Sequence, residues 1–293
     1  MGSRLFQALA DGVLGGGVYG LMAVGLTLIF GVLDIINIAQ GILVVLGSYL
    51  SYVLWTDLHI DVFLGLLITI PAMFVLGVAI QWFFIRPLRG RERTSMSLLA
   101  SYSVAIIIEG VLYERFGSNF QSLQTPYVTN TIKVAGYYIP YIYLYGFGLA
   151  VLFVAALYYM LYRTQFGRSV RATMQDQTAA RLVGIDVNRV AAITFGIGVA
   201  VTAAGGMVSG STMAFNPNTG YDFISRLLAI VILGGMGSIA GSLVAAIIMI
   251  TLESLVDVFW NPSWSVVVFY AVLVLVLLLR PQGLFGRREA RTA

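Results

Sequence analysis

The polar residues that interrupt the apolar stretches of this chain are the ones whose chemistry could serve a function. Asn37 and Gln40 stand inside one apolar run. Polar groups at membrane depth need partners, and they commonly line a polar cavity. Glu253 is the deepest acid of another run, whereas Glu109 and Asp257 lie near the outer ends of theirs. Asn37, Gln40 and Glu253 are therefore predicted to line a pathway for a solute; the alternative is that they only pack or pair helices.

The residue types needed for most enzyme chemistry are missing from the sequence. There is no cysteine and only one histidine, His59, so no thiolate or histidine cluster can bind a metal. The one lysine, Lys133, stands in Ile-Lys-Val and not in the Gly-Lys-Ser/Thr ending of a phosphate-binding loop. The sequence therefore predicts no catalytic residue, no metal site and no cofactor on this chain. Energy for active transport has to come from another subunit or from an ion gradient.

The composition is typical of a protein embedded in lipid. Of its 293 residues, 59% are hydrophobic and 10% are charged, and the mean hydropathy is +0.91. Soluble domains carry about 25% charged residues. Apolar runs long enough to cross a bilayer predict an all-α polytopic membrane protein with about eight or nine transmembrane or re-entrant helices. The candidate spans are 12–33, 37–56, 62–85, 95–113, 145–162, 190–212, 224–237, 241–258 and 265–280.

The arginines indicate how the chain is oriented. All but one of the 17 basic residues are arginine, and most of them lie in 86–93, 163–189 and 280–291. Loops rich in Lys and Arg face the cytoplasm, and this clustering fits membrane topology better than nucleic-acid binding. Loops 86–93 and 163–189 are thus predicted to be cytoplasmic and loop 114–144 external, within a single transmembrane domain, 1–293. Nine spans place the N-terminus outside, and eight place it inside.

The polar loop 163–189 is longer than a simple connection between spans requires. It is predicted to contain an amphipathic helix, and Asp186 is able to cap the helix that follows. Such a loop can dock to a soluble partner, or it can lie on anionic lipid through its arginines; composition does not choose between these. The residues predicted to couple the chain to a partner are Arg168, Arg171, Ala179, Ala180, Arg181 and Gly184.

Three glycine-containing stretches have mainly structural interpretations. Gly12, Gly16 and Gly20 form a repeated G-x-x-x-G face, which favours close packing of helices in lipid. The sequence Asn-Pro-Asn-Thr-Gly at 216–220 is turn chemistry, or else a surface that meets a binding protein. The seventh span, 224–237, is short and glycine-rich, so it is a candidate for a re-entrant or broken helix. No convincing internal repeat is visible in the sequence.

Several short motifs resemble one family of transport proteins. Ala-Ala-Arg-Leu-Val-Gly at 179–184 is similar to the coupling motif of bacterial ABC-importer permeases, although Thr178 stands where glutamate is usual. With four further runs in the same order along nearly the whole chain, it resembles the branched-chain amino-acid permease family of ABC importers. These runs are Asn-Ile-Ala-Gln-Gly at 37–41, Gly-Arg-Ser-Val-Arg-Ala at 167–172, Gly-Gly-Met-Gly-Ser at 234–238 and Arg-Pro-Gln-Gly-Leu-Phe-Gly at 280–286.

The resemblance implies partners and a substrate. It implies an importer with a second permease subunit, homologous or identical, two ATP-binding subunits at the cytoplasmic face and an extracytoplasmic substrate-binding protein. It also implies leucine, isoleucine or valine as the substrate, and the cytoplasmic membrane of a bacterium or archaeon as the location. Gln40 replaces the family's usual histidine, so this position lacks a titratable group. The alternatives are a permease for urea or amides, an ion-coupled secondary transporter that uses Glu253 or Asn37, and a membrane-embedded enzyme.

Overall fold

The computed structural model describes residues 2–88, 93–134 and 137–286. Within them the chain forms twelve α-helices and one antiparallel hairpin. The helices are α1 Gly2–Leu33, α2 Gln40–Thr56, α3 Val62–Ile80 (continued by a π-helical turn, Gln81–Ile85), α4 Arg93–Phe116, α5 Pro126–Thr129, α6 Tyr141–Arg163, α7 Gln165–Gln175, α8 Gln177–Leu182, α9 Val187–Thr212, α10 Thr219–Gly234, α11 Ile239–Phe259 and α12 Pro262–Leu279; the strands are β1 Thr131–Val134 and β2 Tyr137–Pro140. Five arginines predicted to be cytoplasmic lie outside the described residues: Arg89, Arg91, Arg287, Arg288 and Arg291.

The helices confirm the predicted all-α polytopic membrane fold. Seven helices of the described chain are long and apolar enough to cross a membrane: α1, α3 with its π-helical turn, α4, α6, α9, α11 and α12. The second and seventh predicted spans correspond to shorter helices, α2 with 17 residues and α10 with 16. The helix α10 starts at Thr219, earlier than predicted. It ends at Gly234 because Gly235 takes a left-handed conformation, with φ at 95°.

Helices α1 and α9 form the centre of the bundle. Their apolar windows are 78% and 89% buried, against 11% to 33% for the other five long helices. The two helices cross where Gly25 faces Gly198, and a Cβ atom on Gly25 would lie 2.4 Å from the Gly198 carbonyl oxygen. The surrounding helices keep large apolar side chains exposed, as contact with lipid allows.

The glycine face of α1 packs against α11, as the packing interpretation of the G-x-x-x-G pattern predicts. A Cβ atom on Gly12 would lie 2.5 Å from the Cα of Thr251, and one on Gly16 would lie 2.6 Å from the Cα of Ile247. The pair α1 and α11 has the most extensive contact between any two helices of the described chain. Small residues are therefore needed here because the two backbones approach each other directly.

The two ends of the bundle carry different segments. At one end, the α8 end, Gln177 Nε2 donates a hydrogen bond to the carbonyl oxygen of Val32, the last turn of α1 (3.1 Å). At the other end, the hairpin end, the connection 117–140 meets the segment after α9 through an isolated bridge between Gln121 and Phe215. The segment 57–61 reaches the same end, where the Asp61 carboxylate accepts a hydrogen bond from the Tyr127 hydroxyl (2.9 Å) and raises the pKa of Tyr127. The described parts of loop 163–189, predicted to be cytoplasmic, and of loop 114–144, predicted to be external, thus lie at opposite ends.

A structural repeat that the sequence did not reveal relates α1–α2–α3 to α9–α10–α11. When the two segments are aligned so that Asn37 matches Asn216, Leu33 matches Thr212. These two residues are the ends of α1 and α9. The contact of α1 with α11 has its counterpart in the contact of α9 with α3. Helix α1 runs towards the α8 end, whereas α9 runs away from it, so the two halves have inverted topology. Repeats of this kind are common in transporters, where they place broken helices near the bilayer midplane.

Candidate transport site

The first polar cluster is built on a break in the helical backbone between α1 and α2. Residues 34–39 are not helical, and the break begins at Asp34, whose φ is 55°. Helix α4 satisfies part of the freed backbone, because the Ile38 amide donates to Ser101 Oγ (3.2 Å). Asn37 and Gln40 follow in this break, and both are fully buried. Non-helical backbone at membrane depth is tolerated only where protein or a polar cavity surrounds it.

Asn37 and Gln40 form one hydrogen-bonded chain that reaches the central helix α9. Asn37 Nδ2 donates to Gln40 Oε1 (2.9 Å), and Gln40 Nε2 donates in turn to Thr202 Oγ1. Thr202 Oγ1 itself donates to the Gly198 carbonyl oxygen (2.9 Å). The remaining acceptor, Asn37 Oδ1, is buried and has no hydrogen-bond partner among the described residues. The structure thus brings together two of the three predicted pathway residues and adds Thr202, which the sequence did not indicate.

The start of α10 repeats this arrangement on the other side. Asn216 Oδ1 accepts hydrogen bonds from the amide and the hydroxyl of Thr219 (both 3.1 Å), much as Asn37 is tied to Gln40. As its turn-forming residues predict, the segment 216–220 contains a turn at Pro217 and Asn218, and this turn leads directly into α10 at Thr219. The short helices α2 and α10 touch at their first turns, where a Cβ atom on Gly41 would lie 2.1 Å from the Gly220 carbonyl oxygen.

Glu253 does not belong to this network. It lies in a partly open cavity of about 560 Å³ towards the hairpin end, lined by residues of α1, α6, α9, α10, α11 and α12. Its carboxylate pairs with Arg226 of α10, with Arg226 Nη1 lying 2.5 Å from Glu253 Oε2. The side chains are 24% and 12% exposed, so the pair is mostly shielded. Ser254 lines the same cavity, whereas Thr251 faces Gly12 of α1.

Arg226 is the functional candidate that sequence reasoning missed. It lies outside the three arginine-rich regions of the chain, within the seventh predicted span, 224–237. Its position inside the seventh span was the available signal, because an arginine at membrane depth requires a partner. The other two acids lie elsewhere: Glu109 accepts a hydrogen bond from the Tyr221 hydroxyl (2.7 Å), and Asp257 is an exposed residue at the edge of the cavity.

The predicted coupling segment folds as two helices joined at Asp176. The Asp176 carboxylate accepts hydrogen bonds from the amides of Thr178 and Ala179 and so caps α8. Helix α8 ends at Leu182, and Gly184, with φ at 85°, turns the chain into α9. The two apolar side chains at this end, Leu182 and Val183, are 84% and 76% exposed.

The six predicted coupling residues occupy different environments. Four of them are exposed: Arg168, Ala179, Arg181 and Gly184. Ala180, which belongs to α8, is buried on the inner face of that helix. Arg171 is used inside the chain, since its guanidinium donates to the Leu161 carbonyl oxygen and lies over the Tyr162 ring (5.1 Å). The segment therefore has one face tied to α6 and one face open.

The comparisons with known proteins identify the family. The family described as branched-chain amino acid transport system / permease component matches residues 8–277, nearly the whole chain. The chain therefore belongs to this family of multi-pass membrane permeases, as its motifs and helical fold indicate.

The sequence similarity to known relatives extends over almost the full length of both proteins. The chain is 30% identical to the high-affinity branched-chain amino acid transport system permease protein BraD of Pseudomonas aeruginosa, over 97% of this chain and 96% of BraD. It is also 30% identical to the permease protein LivH of Escherichia coli K12, with the same coverage. A probable branched-chain amino acid permease LivH of Methanocaldococcus jannaschii is 26% identical over 91% of this chain and 88% of that protein. No solved structure matches the chain significantly.

Proposed function

We propose that this chain is the membrane permease subunit of an ATP-driven ABC importer for branched-chain or related hydrophobic amino acids. In this proposal it pairs with a second permease subunit and receives substrate from an extracytoplasmic binding protein. Two separate subunits bind and hydrolyse ATP at the cytoplasmic face of a bacterial or archaeal inner membrane. The relatives' printed functions support the substrate. The observation that carries the mechanism is the attachment of the α7–α8 segment to the end of α1, next to the broken helix.

The open face of α8 suits an ATP-binding partner. Leu182 and Val183 project from its end, and Arg168 and Arg181 are exposed on the same segment. Apolar side chains that protrude at an interface are suited to fill a pocket, while charged residues around them give specificity and orientation. Helix α9 begins only a few residues later, at Val187. A push on α8 therefore reaches the central helix of the bundle through a short connection.

The inner face of the same segment leads to the broken helix. Gln177 is bonded to the Val32 carbonyl oxygen (3.1 Å), and the Met174 methyl group lies 2.6 Å from where a Cβ atom on Gly31 would be. Asp34, two residues after Val32, has a left-handed backbone conformation. In the proposed mechanism, closure of the ATP-binding subunits moves α7–α8 as a rigid body, and the hinge at 34–39 changes the position of Asn37.

Asn37, Gln40 and Glu253 serve the pathway in two places in this proposal. The Asn37–Gln40–Thr202 chain closes the centre of the subunit where the first turns of α2 and α10 meet. Glu253 lies in the cavity on the hairpin side, which is the predicted external side. The chain binds no cofactor in this scheme. It lacks the lysine of a phosphate-binding loop, so ATP is hydrolysed on the partner subunits.

The docking proposal is tested with Leu182→Glu in the complete complex. A carboxylate in an apolar docking pocket loses its hydration without gaining a partner, so the ATP-binding subunit should be lost during purification and ATP-dependent leucine uptake into vesicles should fall at least tenfold. Leu58→Glu is the matched control, because Leu58 is an exposed leucine (60%) at the hairpin end. This control should retain the ATP-binding subunit.

The outcomes separate the alternatives. If the Leu182→Glu variant copurifies normally with the ATP-binding subunit and keeps normal uptake, α8 is not a docking surface, and the alternative that it lies on lipid is supported. Uptake that needs an ion gradient and no ATP-binding subunit would make the chain a secondary transporter. If urea or an amide inhibits uptake and excess leucine does not, the substrate is urea or an amide and not a branched-chain amino acid.

A further inference from the structure

We propose that the cavity at Arg226 and Glu253 is an amino-acid binding site inside the permease itself, in which Arg226 binds the substrate carboxylate and Glu253 binds the substrate ammonium group. The inference rests on the proposed function, because it takes a zwitterionic amino acid as the transported solute. It adds a binding site on the pathway, between the external binding protein and the Asn37–Gln40–Thr202 cluster, at which the permease recognises the solute directly.

The size and position of the cavity suit this role. Its volume of about 560 Å³ lies within the range of about 300–1,000 Å³ that small-molecule sites occupy. It is lined by six helices, which include α1 of the first repeat and α9, α10 and α11 of the second. Sites at the interface of such repeats are where transporters hold their substrates.

The charges of the cavity match both ends of an amino acid. Arg226 and Glu253 face each other across α10 and α11 at 2.5 Å. The guanidinium group has five N–H donors, and Glu253 occupies one of its terminal nitrogens, so donors remain for a carboxylate. Three further acids line the cavity: Asp11, which is partly buried, and Asp222 and Asp257, which are exposed at its edge; together they attract the ammonium end of an incoming solute.

Arg226 is held in place by more than its ion pair. Its guanidinium carbon lies 6.0 Å from the centre of the Tyr19 ring and 5.7 Å from that of Phe269, within the range of cation–π contact. These rings belong to α1 and α12, so the guanidinium is positioned from both sides. A charged group positioned before the ligand arrives loses less entropy on binding.

A separate observation also points to a ligand. Ser209 lines the cavity and is only 3% exposed, yet its hydroxyl has no hydrogen-bond partner among the described residues. Buried hydroxyl groups are normally hydrogen-bonded, and a bound carboxylate or ammonium would supply the partner. Beside these polar groups, Val18, Phe223 and Ile250 form a buried apolar wall that suits a branched aliphatic side chain.

The experiment measures binding of L-leucine to the purified full-length permease in nanodiscs by equilibrium dialysis, without the external binding protein. The wild-type chain should bind L-leucine at least tenfold more tightly than L-leucinol, which lacks the carboxylate, or 4-methylpentanoate, which lacks the ammonium group. The double variant Arg226→Gln with Glu253→Gln removes both charges and leaves neither one unpaired. It should bind leucine at least tenfold more weakly and should no longer discriminate among the three compounds.

Two further variants complete the design. Glu109→Gln is the matched control, because Glu109 is another acid in the outer half of the bundle but does not line this cavity; its leucine affinity should equal that of the wild type. Arg226→Lys keeps a cation and should keep the preference for leucine over leucinol, which shows that a folded variant retains recognition.

The results distinguish this inference from the proposed function. Unchanged leucine affinity in the double variant, or failure of the wild-type permease to bind leucine, would overturn the internal site. ATP-dependent leucine uptake by the wild-type complex would still support the proposed function in either case. If the wild-type complex shows no ATP-dependent leucine uptake, the proposed function is contradicted instead.

Discussion

The contact between the first turns of α2 and α10 can be tested by adding a single methyl group at Gly41. The added Cβ atom would lie 2.1 Å from the Gly220 carbonyl oxygen and 2.8 Å from the backbone nitrogen of Ile224. Ordinary van der Waals contacts between these atom types begin at about 3.4 Å or more. The obstructing atoms are backbone and cannot rotate away, so the two helices must separate in Gly41→Ala.

The expected cost follows from this overlap. Inserting a methyl group into a well-packed core costs about 1–3 kcal/mol, and a rigid backbone obstacle places this substitution at the upper end. Because about 2–4 °C is lost per kcal/mol in a chain of this size class, the unfolding temperature should fall by roughly 6–12 °C. Leucine uptake should fall with it, since Gln40, which connects Asn37 to Thr202, immediately precedes Gly41.

The assay is size-exclusion chromatography of the detergent-solubilised chain after heating to graded temperatures. Gly148→Ala is the control, because Gly148 lies in α6 with open space around its Cα. Alanine there should be neutral or stabilising by about 0.5–1 kcal/mol, as expected for a helix interior. If Gly41→Ala unfolds at the wild-type temperature and keeps wild-type uptake, α2 and α10 do not meet as described.

Two further predictions address the pathway and the topology. Replacing Asn37 and Gln40 together by leucine should lower uptake at least tenfold while the complex stays assembled, because the buried hydrogen-bonded chain to α9 is removed; undiminished uptake would show that the pair only packs. Single cysteines placed at Gln175 and Asn130 of this cysteine-free chain should react with an impermeant maleimide in intact cells at position 130 and not at position 175, and the opposite pattern would invert the orientation.

The structure also changes which substitutions test the coupling segment. Ala180 and Gly184 are small residues of the predicted coupling segment, and glutamate at either position is an obvious way to block a partner. Ala180, in α8, is only 2% exposed, so a glutamate there would bury an unpaired charge on the inner face of the helix. Gly184 has open space around it but a φ of 85°, so any side chain strains its backbone. Both substitutions therefore report on the folding of α8, and Leu182→Glu is the cleaner probe of docking.

Local patterns in the sequence determined the class of this protein and most of its elements. The bilayer requires long apolar helices, so the spans could be read directly from hydropathy. The Gly12, Gly16 and Gly20 face, the separate loop 163–189 and the family motifs are likewise short-range patterns. Each of them depends on residues a few positions apart along one helix or loop, which is why no tertiary information was needed.

Only the tertiary structure decided which polar residues act together. Arg226 meets Glu253, and Gln40 meets Thr202, across separations along the chain that no local periodicity reflects. The repeat stayed hidden because few residues coincide between the halves, chiefly the Asn-x-x-x-Gly pattern of 37–41 and 216–220 and the glycines Gly31 and Gly210. In lipid, many apolar side chains of similar size satisfy the same helix position. The two halves can therefore keep one backbone path while their sequences differ, and only the packing brings the widely separated polar residues into contact.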